Sequence, residues 1–461
     1  MAEAQRRGDI HRFCFNGDYF VLDVNSGAVH AVDRLAYDLI GAWETGEEDL
    51  SAINQYSPES IREAAAEIEA LVGAGLLFSP PLDVPAVAEH SPVVKALCLH
   101  VAHACNLACI YCFGGGGTFG SAGLMTPEVA KQAVDFLIAG SGSRGNCEID
   151  FFGGEPLVNF STVRQTVAYI RQRERESGKR FKLTLTTNAV LLDDAALQFL
   201  NAEDISLILS LDGRREVHDR ARPFADGSGS YDACLAGIRR AICSRPGGDY
   251  YVRGTYTALN LDFANDVLAM ADMGFDRLSV EPVVALDSPL AITEAHLPFL
   301  YAEYDRLAGE YLRRREAGRP FEFFHFNVEL DRGPCLAKRI SGCGAGHEYF
   351  AVAPDGSLWP CHQFVGREGF WLGNVYQGIV RPDILERFRA TNALTKEACR
   401  SCWARFHCGG GCHANAHLMN GDIAKPYRIG CELQKKRLEC ALAVQAKMSL
   451  KRQGIGPAPS K

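Results

Sequence analysis

The cysteines of this 461-residue chain constrain it more than any other feature, because there are seventeen of them and they are clustered. Three fall within eight residues, as Cys105, Cys109 and Cys112, and nine more fall between residues 335 and 440. A chain of this length does not need disulfides to support a small core, and in a reducing compartment clustered thiols usually bind metal. The pattern therefore predicts metal or iron–sulfur ligation.

Composition and charge narrow the class of protein. A hydrophobic content of 47% and a charged content of 23% are typical of a globular chain, which excludes wholesale disorder. The net charge of −8 argues against a general nucleic-acid binder. Residues 1–10 are polar, and no apolar run approaches the roughly 18 residues that a membrane span needs. We therefore expect a cytoplasmic protein that has neither a nucleic acid nor a membrane as its partner.

Residues 1–88 predict a small separate domain of strands followed by helices. Short strand-like segments at 13–15, 19–24 and 28–32 are separated by Asn-Gly-Asp and Asn-Ser-Gly, which are hairpin turn signals. A helical stripe at 58–74 and a proline-containing linker follow. The simplest interpretation is a domain that only packs against its neighbour.

Residues 93–320 predict an α/β domain, because strand and helix patterns alternate six times. Such alternation implies a parallel sheet with right-handed crossovers. Six units are fewer than the eight of a closed barrel, so we predict a partial (β/α)6 barrel. The predicted strands are 93–101, 147–152, 181–187, 205–211, 250–256 and 277–281, and the predicted helices are 126–140, 160–177, 193–203, 231–243, 262–273 and 293–317.

Polar residues follow nearly every predicted strand of this domain. The carboxyl ends of parallel strands carry the active sites of α/β barrels, so these residues are candidates for a site. Turn chemistry and helix capping are the structural alternative. The residues are Gly153-Gly154-Glu155-Pro156, Thr187-Asn188, Ser210, Asp212 and Glu281.

The segment from Cys105 to Cys112 has the pattern C-x3-C-x2-C and directly follows the first predicted strand. Three thiolates on a short loop can hold a four-iron cluster and leave its fourth iron without a protein ligand. Two alternatives remain: a helical stripe of small apolar cysteines, and a zinc site.

This motif resembles that of radical S-adenosylmethionine (SAM) enzymes. The resemblance implies that Cys105, Cys109 and Cys112 hold the catalytic [4Fe–4S] cluster. It also implies that Tyr111 and Phe113 flank the adenine of SAM, and that the Gly153-Gly154-Glu155-Pro156 segment receives its methionine ammonium. The remaining implied SAM contacts are Thr187, Asn188, Ser210 and Asp212.

The distal cysteines have the spacing of a SPASM domain, which we place at residues 330–445. The pattern is C-x12-G-x4-C, then C-x2-C-x5-C-x3-C, then x18-C. A zinc-ribbon-like module is the alternative. The resemblance implies two auxiliary [4Fe–4S] clusters, so that there are three clusters in all. It assigns the first to Cys343, Cys361 and Cys412, with Cys335 as an optional fourth ligand, and the second to Cys399, Cys402, Cys408 and Cys431.

Along nearly the whole chain the sequence is similar to maturases of SCIFF ("six cysteines in forty-five") peptides. The segments that carry the likeness are 105–120, 146–160, 341–362 and 399–412. Residues 1–88 resemble the winged-helix element with which such enzymes take up a leader peptide as an added strand. The implied partners are a cysteine-rich precursor peptide with a leader, and an electron donor such as flavodoxin or ferredoxin.

The implied activity is formation of a thioether between a cysteine sulfur and a carbon of another residue in the precursor (a ranthipeptide- or sactipeptide-type product). Reductive cleavage of SAM would supply a 5′-deoxyadenosyl radical that removes hydrogen from the acceptor residue, and the auxiliary clusters would hold the thiolate and take the surplus electron. The alternatives are other SPASM chemistries, namely cysteine oxidation, carbon–carbon crosslinking or crosslinking of a quinohaem subunit. From another class, a zinc or electron-transfer protein is the alternative.

Overall fold

The computed structural model describes residues 9–45, 53–82, 93–330 and 340–454. Cys335, the optional cluster ligand, lies outside these residues. None of the described helices is both long and apolar enough to cross a membrane.

The N-terminal region begins with a three-stranded antiparallel sheet in the order β1-β2-β3. Asn16 and Gly17 both have positive φ in the β1–β2 turn, as the hairpin signal predicts. The Ser57 side chain caps the second helix by accepting a hydrogen bond from the Ser60 N–H. Three strands followed by two helices match the predicted order, and the winged-helix assignment stays a prediction. The elements are β1 (Ile10–Phe15), β2 (Asp18–Asp23), β3 (Val29–Val32), α1 (Arg34–Thr45) and α2 (Pro58–Gly73).

The six predicted strand–helix units are present, and their strands are parallel neighbours in chain order. The predicted α/β fold is therefore confirmed. The third of these strands shows the alternation most clearly, since Phe181, Leu183 and Leu185 are buried and the residues between them are not. The strands are β4 (Ala96–His103), β6 (Asn146–Gly153), β7 (Arg180–Thr187), β8 (Ser206–Ser210), β9 (Tyr250–Tyr256) and β10 (Arg277–Pro282), and the short β5 (Gly123–Leu124) pairs antiparallel with the end of β4.

The helices of this domain agree closely with the periodicity, with one addition. Thr126 and Asp193 cap the helices that follow them, since their side chains accept hydrogen bonds from N–H groups of the first helical turn. The additional helix, α6, is too short to show a helical apolar period. The helices are α3 (Pro127–Gly140), α4 (Phe160–Ser177), α5 (Asp194–Ala202), α6 (Arg215–Ala221), α7 (Tyr231–Cys243), α8 (Phe263–Asp272) and α9 (Leu297–Glu316).

The cysteine-rich region continues the same sheet. Its first strand, β12, pairs in parallel with β4, with Tyr349 opposite Ala96, and an antiparallel meander follows. These strands have two to four residues, too few to show alternation in the sequence. The strands are β11 (Glu322–Phe323), which pairs with β10, then β12 (Tyr349–Val352), β13 (Ser357–Trp359), β14 (Gly373–Asn374) and β15 (Gly378–Ile379).

Cys399 and Cys408 lie on short helices, and a long helix that carries Cys431 and Cys440 ends the described chain. The long helix begins at Arg428 and ends at Arg452. It packs against α9. The helices are α10 (Pro382–Ala390), α11 (Glu397–Arg400), α12 (Arg405–Cys408), α13 (His413–Asn420) and α14 (Arg428–Arg452).

Both faces of the N-terminal sheet pack into apolar cores. Ile10 and Val21 belong to a small core with α1 and α2, whereas Phe13, Phe20 and Leu22 belong to the main core of the molecule. Burying one such side chain fully stabilises a fold by roughly 1.5–3 kcal/mol. The N-terminal region is therefore joined to the rest of the chain through a continuous apolar core.

Candidate active site and iron–sulfur centres

The loop that follows β4 carries Cys105, Cys109 and Cys112, and residues 105–112 are not helical. The alternative of a helical cysteine stripe is therefore wrong. Backbone N–H groups of Ala108 and Ile110 donate to the carbonyls of Pro223 and Ala221, beyond α6, and so hold the loop against the following units of the domain.

The three thiols of this loop are electrostatic neighbours of one another. Burial raises the pKa of the Cys105 thiol to about 11, and burial also raises that of Cys109. In the described chain, no three His, Cys, Asp or Glu side chains converge on one point that could hold a single metal ion. Three neighbouring thiols on one loop suit a four-iron cluster, in which each thiolate binds a different iron atom.

Glycines let three backbone segments meet beside this loop. Gly153 has a φ of 123°, and a Cβ there would lie 2.3 Å from the carbonyl oxygen of Ala102. A Cβ on Gly117 would lie 2.8 Å from both the Cys105 Cβ and the Gly154 Cα. Only residues without a side chain fit at such distances. The cysteine loop, the loop that contains Gly117 and the end of β6 are therefore packed backbone to backbone.

Glu155 lies at this junction with 1% of its surface exposed. One carboxylate oxygen accepts hydrogen bonds of 3.1 Å from the Leu157 N–H and 2.8 Å from the Thr187 hydroxyl. The other accepts a hydrogen bond of 2.8 Å from the Asn188 N–H. Burial raises the pKa of Glu155, and these three donors oppose the rise. Three donors leave one of the roughly four lone-pair positions of a carboxylate free for a cationic ligand.

Asn188 connects Glu155 to the cysteine loop. Its side-chain N–H donates to the Asn106 side-chain oxygen over 2.8 Å and lies 4.0 Å from the Cys105 sulfur. Thr187 and Asn188 are both buried. Thr187 and Asn188 therefore lie beside the loop that carries Cys105. Their contact with SAM stays a prediction.

Asp212 is almost fully buried and is engaged by protein groups. It accepts hydrogen bonds of 2.6 Å from the Tyr111 hydroxyl and 3.0 Å from the Thr255 N–H. Arg222 donates to the same Tyr111 oxygen over 2.8 Å and lies 3.8 Å from the Asp212 carboxylate. Asp212 therefore positions Tyr111. The predicted contact between Asp212 and SAM stays a prediction.

Three further residues are predicted to contact SAM: Ser210, Pro156 and Phe113. Ser210 ends β8 opposite Arg253 in β9. Pro156 is buried and begins the turn that follows Glu155. The Phe113 ring is half exposed and lies 5.6 Å from the His362 ring and 6.4 Å from the Phe152 ring.

Cys343, Cys361 and Cys412 come together as the first predicted auxiliary set. They line one cavity of about 220 Å³ with Asp150 and Tyr349. Burial raises the pKa of the Cys361 and Cys412 thiols. Grouped thiols that repel one another as thiolates fit a site in which metal supplies the compensating charge.

Cys399, Cys402, Cys408 and Cys431 come together as the second predicted set. Burial raises the pKa of Cys431 to about 12. The structure thus separates the seven distal cysteines into the two groups that the resemblance implies, and the ligand roles stay predictions. All sixteen described cysteines are free thiols.

Four residues that the sequence interpretation did not single out lie in these sites. Arg222 holds Tyr111, Asn106 holds Asn188, Arg405 contacts the Cys402 carbonyl, and Lys396 is buried among the auxiliary cysteines. A single arginine or lysine in a loop carries no periodic signal. Proximity to the motif cysteines is the one feature that could have suggested Asn106, Arg405 and Lys396.

Comparisons with known protein families and proteins agree with this geometry. Residues 99–280 match the radical SAM superfamily, and residues 343–403 match the SPASM domain, described as an iron–sulfur cluster-binding domain.

Three relatives match most of the chain at low identity. The radical SAM cyclopropyl synthase TigE of Paramaledivibacter caminithermalis is 23% identical over 75% of this chain and 74% of its own length. A cysteine-type anaerobic sulfatase-maturating enzyme of Clostridium perfringens is 23% identical over 76% of this chain and 96% of its own. The PqqA peptide cyclase of Bradyrhizobium diazoefficiens is 25% identical over 73% of this chain and 86% of its own.

The solved structure of native anSMEcpe with bound AdoMet and Kp18Cys peptide is similar in fold. It matches with a TM-score of 0.65 and 20% identity, over 78% of this chain and all of that chain. The chain therefore carries a radical SAM domain followed by a SPASM domain, which together bind SAM and multiple [4Fe–4S] clusters.

Proposed function

We propose that this chain is a radical SAM maturase that forms thioether crosslinks between a cysteine sulfur and a carbon of an acceptor residue in a ribosomally made precursor peptide, as SCIFF maturases do. One observation carries the proposal. A cluster of three aromatic rings connects the loop of Cys105 to the cavity of Cys361. The Phe152 and His362 rings lie 5.2 Å apart, and the Phe113 ring packs against both.

The first auxiliary set supports a thiol substrate. It has three described cysteines for a cluster with four irons, in a cavity of about 220 Å³. An iron without a protein ligand can bind a cysteine sulfur of the peptide and favours its deprotonated form. Cys335 is the competing ligand for that position.

The comparisons support a peptide or protein substrate. Relatives that match about three quarters of the chain include a sulfatase-maturating enzyme and a peptide cyclase. Both names describe chemistry on a polypeptide. We extend this substrate class to the present chain.

When bound, SAM and the clusters supply a radical that removes one hydrogen atom from the carbon of the acceptor residue. They also supply a site that takes up the one electron left over. The peptide also loses the thiol proton, so each crosslink removes two hydrogens in all. The chain's own groups bind and orient the reactants. Glu155 would accept a hydrogen bond from the SAM ammonium at its free lone pair, while Thr187, Asn188 and Leu157 hold the Glu155 carboxylate in place.

The N-terminal sheet is our candidate for leader recognition. β1 is covered, since its His11 ring stacks at 3.7 Å on Trp403 of the cysteine-rich region. β3 is the other edge strand, and its four residues are half buried or exposed. We therefore assign the leader to the edge of β3 that pairs with no described strand, where the leader backbone would add a fourth strand. A flavodoxin or ferredoxin is the proposed electron donor.

The test uses the reconstituted enzyme, SAM, a reductant and the matched cysteine-rich precursor. We expect a loss of two hydrogens per crosslink, together with one fewer thiol that reacts with an alkylating reagent. Carbon–carbon crosslinking, which the peptide cyclase relative favours, also loses two hydrogens but leaves the thiol count unchanged. Oxidation of cysteine, which the sulfatase-maturating relative favours, removes the sulfur and forms no crosslink. Either of these products would replace the thioether assignment.

A further inference from the structure

Lys396 is among the most completely buried side chains of the molecule, with 2% of its surface exposed. It directly precedes α11, the short helix that carries Cys399. Its ammonium donates one hydrogen bond, of 2.8 Å, to the carbonyl oxygen of Gly410. Gly410 lies between Cys408 of the second auxiliary set and Cys412 of the first. The ammonium is thus tethered to the loop that joins the two sets.

No carboxylate among the described residues forms an ion pair with Lys396. The groups that act on its charge are four of the auxiliary cysteines: Cys399, Cys408 and Cys431 of the second set and Cys412 of the first. An ammonium has three donor hydrogens, and the Gly410 carbonyl takes one of them. A buried cation without a compensating charge is strongly destabilising in general. The compensation available to Lys396 is therefore the negative charge of the thiolates.

Other cations near these cysteines are already compensated. Lys435 acts on Cys431, but it forms an ion pair of 3.0 Å with Glu432 and is one-third exposed. Arg437 acts on Cys408, but it forms an ion pair of 3.0 Å with Glu281. Lys396 differs from both because no described carboxylate forms an ion pair with it, and cysteines of both sets act on its charge.

We propose that Lys396 is the shared counter-cation of the two auxiliary clusters and raises the reduction potential of both. The argument rests on the cluster assignments of Cys399, Cys408, Cys412 and Cys431 and not on thioether chemistry. Adding an electron makes a thiolate-ligated cluster more negative, and a fixed buried cation favours the more negative state. A raised potential makes both sites better acceptors for an electron that leaves the substrate. Lys396 is a positioning residue, since it contacts neither SAM nor peptide in this argument.

The test measures the reduction potentials of the auxiliary clusters by redox titration monitored by electron paramagnetic resonance. The protein carries alanine at Cys105, Cys109 and Cys112 so that the auxiliary signals are separate. We expect Lys396→Met to lower the reduced-to-oxidised ratio of both clusters at least tenfold at a given potential, which is about 59 mV for a one-electron couple. Lys396→Arg keeps the charge and should stay near the parent value. Lys435→Met is the matched control and should change neither potential by that amount.

The outcomes separate a charge effect from a packing effect. Unchanged potentials in a fully loaded Lys396→Met protein would overturn the proposal, as would equal shifts in Lys396→Met and Lys396→Arg. If Lys396→Met does not load iron, the iron content of Lys396→Arg is compared with it. Full iron loading of Lys396→Arg supports a requirement for the charge. An iron loss in Lys396→Arg equal to that in Lys396→Met overturns the proposal. None of these readouts uses the peptide, so failure of the thioether assignment leaves the result intact.

Discussion

The Arg405 guanidinium donates a hydrogen bond of 3.0 Å to the side-chain oxygen of Asn25, and so connects α12 to the end of the N-terminal sheet. The same guanidinium lies 2.9 Å from Asp9 and 3.2 Å from the carbonyl oxygen of Cys402. The proposed leader-binding region is therefore attached to the residues that surround the second auxiliary set. Trp403, the residue between Cys402 and Ala404, adds the stacking contact with His11.

Replacing Arg405 by methionine should loosen the N-terminal sheet. Asp9 and Asn25 lose a charged donor, and such hydrogen bonds contribute roughly 1.5–3 kcal/mol. We expect faster hydrogen exchange in β1 and β2, measured on the loaded enzyme by mass spectrometry. Arg381→Met is the control, because Arg381 forms an exposed pair with Asp383 outside the N-terminal sheet, and exposed ion pairs contribute little to stability. Equal exchange in the Arg405 variant and the parent would show that the shared apolar core alone holds the sheet.

Replacing Cys105, Cys109 and Cys112 together by alanine should abolish SAM cleavage and spare the auxiliary sites. The variant should retain about eight irons, which is two four-iron clusters. Iron analysis and the yield of 5′-deoxyadenosine under reduction are the two measurements. Circular dichroism checks folding, since metal sites and folding are coupled. Formation of 5′-deoxyadenosine by this variant would contradict the assignment of the loop.

Replacing Cys361 or Cys412 by alanine should have the opposite effect. SAM should still be cleaved, because Glu155 and the loop of Cys105 are unchanged, but the peptide should emerge without its thioether. Cys440→Ala is the control for losing a buried thiol, since Cys440 lies on α14 and is not in either auxiliary set. A Cys361 variant that crosslinks at the parent rate would show that the first auxiliary set does not hold the substrate sulfur.

Replacing Glu155 by glutamine should weaken SAM binding at least tenfold while leaving all three clusters in place. The carboxylate accepts three protein hydrogen bonds and offers its remaining charge to the ligand, and a charge-assisted hydrogen bond contributes roughly 1.5–3 kcal/mol. Equilibrium binding of SAM to the anaerobic protein measures the change. Glu148→Gln, near the start of β6, which precedes Glu155, is the control and should bind SAM as the parent does. Equal affinities in both variants would remove Glu155 from the SAM site.

Much of the fold and the main motifs could be predicted from local pattern. The alternation of strands and helices placed all six units of the parallel sheet, because side-chain periodicity is set within each element. The C-x3-C-x2-C spacing was enough to identify the loop of Cys105, because three thiols within eight residues are close whatever the rest of the chain does. Hairpin signals at Asn16 and Gly17 were also sufficient, because positive φ is a local requirement.

The long-range contacts of this protein were decided by tertiary structure, because no local sequence pattern indicates them. The pairing of β12 with β4 joins residues about 250 positions apart and makes the cysteine-rich region continuous with the sheet. Packing placed Phe13 and Phe20 in the main core and brought Arg405 to Asn25. It also buried Lys396 between two groups of cysteines. Such contacts depend on how whole elements pack, and the sequence around a single lysine or arginine is the same whether or not a partner arrives from elsewhere in the chain.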